Sequence, residues 1–272
     1  MKLFQRRWRV QVGSLETTDL NIRFTVKRTL AARPGTLDLE IYNLRESHRA
    51  ELASTARGAL VQLEAGHVEG MSVLFRGDLR KCLNSRSGTT WTTRITAGDG
   101  EHAVRSARVA RGFGPNTTVG EVVRAIADAM GVGVGNALSS LSGASFDGAD
   151  DGIFHDGVVV HGAAFASLSR IAESAGFQVS VQEGLLQLLP RGGALNRTAV
   201  RLSPETGLIG PPEPGRGPHA KAKALIQPDL VPGRLVELAS ETLNGMFRIE
   251  SAETTGESKG GDWYAALALR RQ

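Results

Sequence analysis

The side chains that could do chemistry are scattered along this sequence rather than grouped. The single cysteine, Cys82, falls in a strand-like run where a structural role is favoured over a nucleophilic one. No His-x-x-x-His or His-x-His spacing would bring two imidazoles to one metal ion, since the histidines lie at positions 48, 67, 102, 155, 161 and 219. The sequence therefore predicts no metal site, no cofactor and no catalytic residue.

Two short motifs resemble ligand-binding loops but lack what such loops need. FDGADDG contains Asp147, Asp150 and Asp151, but it has neither the alternating Asp/Asn pattern nor the bidentate Glu of a calcium loop, which favours a solvated acidic turn. GVGVG, at 131–135, follows a predicted helix and opens none, so its amides would not point at a phosphate. No Gly-x-Ser-x-Gly elbow occurs, and no spacing selects a pair of carboxylates. These patterns argue against an enzyme.

The composition is typical of a folded protein, with 272 residues, 41% hydrophobic and 22% charged. A chain of this length can form one large domain or two to three small ones. One cysteine excludes an intramolecular disulfide framework. The arginine-rich start, MKLFQRRWRV, lacks the apolar core of a secretory signal, and no run of about 18 apolar residues occurs. We expect assembly in the cytoplasm and no membrane insertion.

Charge is divided unevenly along the chain, although the net charge is only +4. Residues 1–111 contain 19 Lys/Arg and 11 Asp/Glu, residues 112–190 contain 2 and 8, and residues 191–272 contain 11 and 9. We expect three domains with these bounds: an N-terminal β-barrel, a small acidic α/β module, and a second β-barrel portion with strands borrowed from the middle region.

The first segment shows six strand-like runs, and in most of them apolar and polar residues alternate, as in Arg23 to Lys27. This period of two predicts a sheet with one packed and one wet face. Six such runs indicate an antiparallel barrel or sandwich. Arginines fall on the predicted wet face of several strands: Arg7, Arg9, Arg23, Arg28, Arg76, Arg80 and Arg94. That face is either simply solvated or turned toward an acidic partner or nucleic acid.

The second segment has a helical period. Thr118 and Glu121 form a predicted capping box, and the helix that follows ends at Gly131. Its apolar stripe contains Val119, Val122, Val123, Ile126, Ala127 and Met130. A second helix is predicted at about 163–175, followed by two strands joined by a tight turn at 183–184.

The third segment opens with a proline-rich stretch, residues 203–240, which holds seven of the ten prolines and excludes a helix interior or a central strand. Leu208 and Ile226 lie in two apolar groups within it, 207–210 and 224–226, that favour burial. We therefore expect an ordered crossover rather than a flexible linker. Strands resume in GRLVELAS, GMFRIESAETTG and GDWYAALALRR.

Taken in order, these runs resemble the baseplate hub proteins of tailed phages and related contractile injection particles. RRWRVQVG, DLNIRFTVKRTL and TLDLEIYNL are similar to the N-terminal barrel of that family, and LSPETGLIGPP, ALIQPDLVPGRLVELAS and FRIESAETTGESKGGDWYAALAL are similar to its C-terminal part. The resemblance spans almost the whole chain. The last hairpin departs from the pattern at Glu257, where an Asp or a His-Gly-Asp turn is frequent.

The resemblance implies a mainly β fold with a small α/β module, in which two β-barrel tube-like domains per chain assemble as a trimeric ring. Such a hub joins the sixfold tail tube to the threefold central spike and forms part of the channel. Its implied partners are the tail tube protein, the central spike protein, other baseplate proteins and the tape-measure protein, with DNA only passing through. The implied location is the baseplate of the virion.

Two other functions stay open on the sequence. Arginines on the strands of 1–111 suit a β-rich module that binds a polyanion or glycan. A cell-wall hydrolase would need two carboxylates across a cleft, and Asp147, Asp150 and Asp151 lie in a Gly/Ser-rich loop that would position them poorly.

Overall fold

A computed structural model describes residues 5–30, 35–68, 70–100, 102–138, 149–182, 184–190, 192–195 and 198–272. Asp147 and Glu183 lie outside these residues. The described elements are β1 (Arg6–Val12), β2 (Leu15–Thr17), β3 (Ile22–Thr29), β4 (Thr36–Tyr42), α1 (Glu46–Ser54), β5 (Leu60–His67), β6 (Gly70–Ser87), β7 (Thr90–Gly98), β8 (Arg108–Phe113), β9 (Thr117–Thr118), α2 (Val119–Met130), β10 (Ile153–Phe154), β11 (Val158–Ala163), α3 (Ala164–Ser174), β12 (Phe177–Gln182), β13 (Leu185–Pro190), β14 (Val200–Leu202), β15 (Leu208–Pro214), β16 (His219–Leu225), β17 (Leu235–Leu238), β18 (Gly245–Glu257) and β19 (Trp263–Arg271).

The chain divides into two compact units. The β unit consists of Met1–Thr29, Gly35–Gly98 and Asn196–Gln272. The α/β unit consists of Leu30–Pro34 and Asp99–Leu195.

The β unit is built on one 13-stranded sheet, which confirms the mainly β prediction. Its strands are hydrogen-bonded in the order β15-β16-β19-β18-β3-β4-β7-β6-β5-β1-β2, and β17 pairs with β18 and β14. Alternation places the side chains as expected: in β3, Phe24 and Val26 are buried while Arg23 and Lys27 are exposed. The ladder of described strands is open, because β15 and β2 at its two ends do not pair. The backbone hydrogen bonds among the described strands therefore do not close either of the two expected β-barrels.

Two hydrophobic cores lie within this single sheet. The first is formed by strands β1 to β7 and includes Val10, Phe24, Leu39, Leu63 and Ile95, together with Ile226 and Trp263 from the end of the chain. The second is formed by the C-terminal strands and includes Leu202, Val236, Phe247, Ile249 and Leu267. The β unit is thus two β modules joined edge to edge.

The strands of residues 198–272 pair among themselves and with β3. Residues Ser251 to Glu257 of β18 pair antiparallel with Arg23 to Thr29. This differs from the expectation that the third segment borrows strands from the middle region. The described middle strands instead form three two-stranded sheets of their own: β9 with β10, β8 with β11, and β12 with β13.

The α/β unit follows its sequence signals closely. Thr118 accepts a hydrogen bond from the Glu121 amide, and the Glu121 carboxylate accepts one from the Thr118 amide, so the capping box is formed. Hydrogen bonds from Thr118 lower the pKa of Glu121. Gly131 ends the helix in the left-handed conformation, with φ of 69°. The six apolar residues predicted as a stripe are all buried: Val119, Val122, Val123, Ile126, Ala127 and Met130.

The proline-rich stretch is ordered into β15, a turn and β16. Leu208 and Ile226 are buried, as predicted. Ile209 is 39% exposed, so the expectation of burial was wrong for that side chain. Three of the seven residues of β15 are prolines, and β15 forms the end of the sheet, where missing backbone donors are tolerated.

Candidate assembly surfaces

The chemically capable residues picked out in the sequence are not brought together. Within the described part of the chain, no group of three or more His, Cys, Asp or Glu side chains could hold a metal ion. Asp150 and Asp151 are exposed in the turn before β10. Cys82 is half-buried on β6, and burial raises the pKa of its thiol. No helix among the described residues is long and apolar enough to cross a bilayer.

The GVGVG motif serves packing rather than phosphate binding. Gly133 pairs with Leu185 of β13, and a methyl group added at Gly135 would lie 2.1 Å from the Leu186 carbonyl oxygen. These glycines allow the backbone after α2 to lie directly against β13.

A shallow pocket of about 310 Å³ lies between β8 and the outer side of α2. Arg111 and Arg124 line it together with Glu121 and Asp128, so the lining carries both signs of charge. The Arg111 guanidinium carbon lies 5.2 Å from the centroid of the Phe113 ring. This mixed lining selects neither an anion nor a cation.

The arginine-rich face of the sheet is largely an ion-pair ladder. Glu257, Arg23, Glu40 and Arg94 lie in direct register across β18, β3, β4 and β7. The Arg23 Nε lies 3.1 Å from Glu257 Oε1. Three further cross-strand pairs follow the same pattern: Lys27 with Glu253 at 3.4 Å, Arg94 with Asp38 at 3.5 Å, and Arg9 with Glu16 at 3.4 Å. Such exposed pairs stabilise little, about 0–1 kcal/mol each, but they neutralise the face.

Not every arginine of the predicted wet face has such a partner. Arg28 and Arg80 interact with neighbouring groups. Arg7 and Arg76 are exposed and form no ion pair with any residue that the structure describes. The positive charge predicted for this face is therefore concentrated at a few positions.

Arg6 joins two strands that are separated by five others in the ladder. Its guanidinium donates hydrogen bonds to the carbonyl oxygens of Glu257 (2.7 Å), Gly260 (2.6 Å) and Gly261 (3.0 Å), in the turn between β18 and β19. The guanidinium carbon lies 5.4 Å from the centroid of the Trp263 ring. The sheet from β18 round to β1 must therefore curl about the first core, and a side chain rather than a ladder closes the gap.

His67 lies beside Arg6 in the same curled region. It pairs in register with Arg6, and its side chain is only 5% exposed. Burial, together with the neighbouring Arg6 charge, lowers the pKa of His67. The imidazole is therefore neutral at neutral pH, and it belongs to the packing of this end of the β unit.

A third arrangement, which the sequence did not reveal, lies at the tip of the β6–β7 hairpin. The guanidinium carbons of Arg49, on α1, and Arg86, on β6, lie 4.1 Å and 5.6 Å from the centroid of the Trp91 ring. We call these three residues the Trp91 patch. The only signal in the sequence was the presence of Trp and Arg in the same segment, because their meeting depends on where α1 packs.

Solved structures with the same architecture come from phage tails and a related secretion system. A 43 kDa tail protein of prophage MuSo2 from Shewanella oneidensis is 12% identical, with a TM-score of 0.68 over 98% of this chain and 97% of that one. The chain has the fold of a phage tail protein.

Two further structures share this tail-protein fold. A tail protein from Neisseria meningitidis MC58 is 9% identical, with a TM-score of 0.64 over 99% and 97% of the two chains. An Escherichia coli component of the type VI secretion system, described as structurally similar to the T4 tail proteins gp27 and gp5, is 10% identical, with a TM-score of 0.59 over 97% and 76%. No protein-family model and no curated protein matches the sequence.

Proposed function

We propose that this chain is a structural hub of a phage tail or a related injection particle, which joins the sixfold tail tube to the threefold central spike and forms part of the channel. The observation that carries the proposal is the likeness, over 97–99% of this chain, to two tail proteins and to a type VI secretion component described as similar to gp27 and gp5.

The two cores of the β unit support the symmetry that this role needs. Each chain supplies two β modules, so three chains would present six, and a trimer could meet a sixfold tube on one side and a threefold spike on the other. The division into residues 1–111, 112–190 and 191–272 then assigns one tube-like domain to each end of the chain and the acidic module to the middle. Arg6 supports a tube-like closure of the first module, because it links β1 to the turn after β18.

The proposed partners are a homotrimer, the tail tube protein, the central spike protein, other baseplate proteins and the tape-measure protein, with DNA passing only transiently. The particle would be assembled in the bacterial cytoplasm, and no catalytic role is proposed. The neighbours are named as tail proteins, which supports a structural role.

The purified chain, alone and with a central spike protein, should form trimers in light scattering and rings in negative-stain images. Immobilised trimer should capture both spike and tube proteins. A protein that stays monomeric and captures neither would refute the proposal.

A second function, binding of a polyanion or glycan, is favoured by one observation. Arg7, Arg76 and the Trp91 patch present positive charge that no described carboxylate neutralises. Binding to a nucleic acid duplex that falls by orders of magnitude between about 50 and 200 mM salt, without any trimer or tube binding, would support this function instead.

A further inference from the structure

The Trp91 patch is held in place by several hydrogen bonds. Asn43 and Trp91 are joined by two of them: the Asn43 amide donates to the Trp91 carbonyl oxygen (2.8 Å), and the Trp91 amide donates to Asn43 Oδ1 (3.0 Å). The Asn84 side-chain amide donates to the Arg49 carbonyl oxygen (3.2 Å), and Thr93 donates to Asn84 Oδ1 (2.7 Å). These bonds tie α1 to the hairpin, so the two guanidinium groups are already positioned before a partner binds.

The patch differs from the rest of the sheet surface in its charge balance. Arg9, Arg23 and Arg94 each have a carboxylate within 3.5 Å. Among the described residues, neither Arg49 nor Arg86 forms an ion pair: their partners are backbone carbonyls and the Trp91 ring. Guanidinium groups stacked on an aromatic ring keep their N–H edges available for carboxylates.

The opposite charge is presented by the turn around β10 in the α/β unit. Asp150, Asp151 and Asp156 are all exposed, and none of them forms an ion pair with a residue that the structure describes. The turn is fixed by the Val119 amide, which donates to the Gly152 carbonyl oxygen (2.8 Å), and by β10 pairing with β9. We call these three aspartates the acidic turn.

We propose that the Trp91 patch of one copy of this chain docks on the acidic turn of a second copy. The inference rests on the proposed function, since it names a contact between neighbouring subunits of the ring. Three things favour a second copy as the occupant: both charged surfaces are uncompensated, both are held in fixed backbone, and the same chain carries both, so every copy in a ring would supply one to each neighbour. The contact sets the rotational register between neighbouring subunits.

Charge reversal on each side tests this contact. Self-association is measured by light scattering and sedimentation at about 50 and 500 mM salt for the wild type, for Arg49→Glu/Arg86→Glu, and for Asp150→Lys/Asp156→Lys. We expect each reversal to weaken association at least about 10-fold and to abolish most of its salt dependence. The four-substitution chain, in which both surfaces are reversed, should recover association.

Two controls separate the contact from general effects. Arg7→Glu/Arg76→Glu changes the net charge by the same amount on exposed arginines outside the patch, and it should associate like the wild type. Arg86→Glu alone leaves Arg49 and α1 untouched, so its weaker association, with unchanged circular dichroism, would show that the loss is not misfolding.

Mixing the two reversed chains shows that the contact is between copies. Tagged Asp150→Lys/Asp156→Lys should capture untagged Arg49→Glu/Arg86→Glu, although neither captures itself.

Three other outcomes would each contradict this inference, and the last of them would also contradict the hub proposal. If the wild type forms rings and both reversed chains do so equally well, this inference is wrong and the hub proposal stands. If the reversed patch assembles normally but loses binding to duplex DNA, the patch is a nucleic-acid site and the inference is wrong. If the wild type neither self-associates nor binds spike or tube, both proposals fail.

Discussion

Replacing Arg6 by alanine should loosen the curled end of the β unit without touching the hydrogen-bonded ladder. The part-buried bond to the Glu257 carbonyl contributes about 1–1.5 kcal/mol. The two exposed bonds, to Gly260 and Gly261, add only about 0.5 kcal/mol each, because water can replace the guanidinium there. Loss of the contact with the Trp263 ring adds about 0.5–1 kcal/mol. We expect Arg6→Ala to lower the free energy of unfolding by roughly 2.5–3.5 kcal/mol.

Tryptophan fluorescence during urea unfolding reports on this unit specifically. All three tryptophans, Trp8, Trp91 and Trp263, lie in the β unit and none in the α/β unit. The urea concentration at the unfolding midpoint should be lower for Arg6→Ala. The dependence of the free energy of unfolding on urea concentration should not change, because the surface exposed on unfolding stays the same. The native spectrum should also change, because Trp263 loses the cation beside its ring.

Arg9→Ala is the matched control, three residues further along the same strand. Arg9 is paired with Glu16 and Glu64 on the exposed face. Arg9→Ala should therefore lower the free energy of unfolding by less than about 1 kcal/mol. Arg6→Lys keeps the positive charge but loses the planar guanidinium group. Its free energy of unfolding should therefore lie between those of Arg6→Ala and Arg9→Ala. If Arg6→Ala and Arg9→Ala unfold within about 0.5 kcal/mol of each other, Arg6 does not close the first module.

Three further substitutions or reactions test other parts of the fold. A methyl group at Gly256 would lie 2.3 Å from Phe24 Cζ. Gly256→Ala should therefore lower the free energy of unfolding, measured in urea, by about 1–3 kcal/mol, and by much less in a Phe24→Ala background. An equal loss in both backgrounds would contradict this packing. Burial raises the pKa of Cys82, so alkylation by iodoacetamide should be slower than that of glutathione at pH 7.5 and should rise with pH; a rate matching glutathione would show an accessible thiolate. Arg248 is 2% exposed, and its Nη2 lies 2.5 Å from Glu250 Oε1. Glu250→Gln should therefore lower the free energy of unfolding by about 1–3 kcal/mol. A thermal midpoint equal to that of the wild type would refute this expectation.

Local signals in the sequence predicted the elements but not their partners. The capping box at Thr118 and the left-handed Gly131 are decided within a few residues, so α2 could be predicted to within one position. Alternation likewise located the strands of residues 6–98 except β2, which is only three residues long. The pairing of β18 with β3 joins residues more than 200 positions apart, and no local pattern signals such a register.

The candidate assembly surfaces could not be predicted from the sequence, because they depend on elements whose sequence signals are weak. Helix α1 buries only Leu52, so it has no apolar stripe and was not predicted. Without α1, Arg49 could not be placed beside Trp91. Arg23 and Arg94 were located correctly on the wet face, whereas Arg28 falls, by alternation, on the side of β3 that carries Phe24 and Val26. The neutralisation of Arg23 by Glu257 and of Arg94 by Asp38 depends on cross-strand register, which a single sequence does not reveal.

The prolines of β15 have a consequence for how copies of this chain can meet. A 13-stranded open sheet would ordinarily offer two unpaired edges on which another chain could add a strand without limit. Here one end is β15, where Pro211, Pro212 and Pro214 lack amide donors, and the other is β2, which is only three residues long. Strand addition is thus disfavoured at these two ends of the ladder. Copies of this chain would then meet through side-chain contacts, which are finite in number and reversible, rather than by adding strands to the sheet.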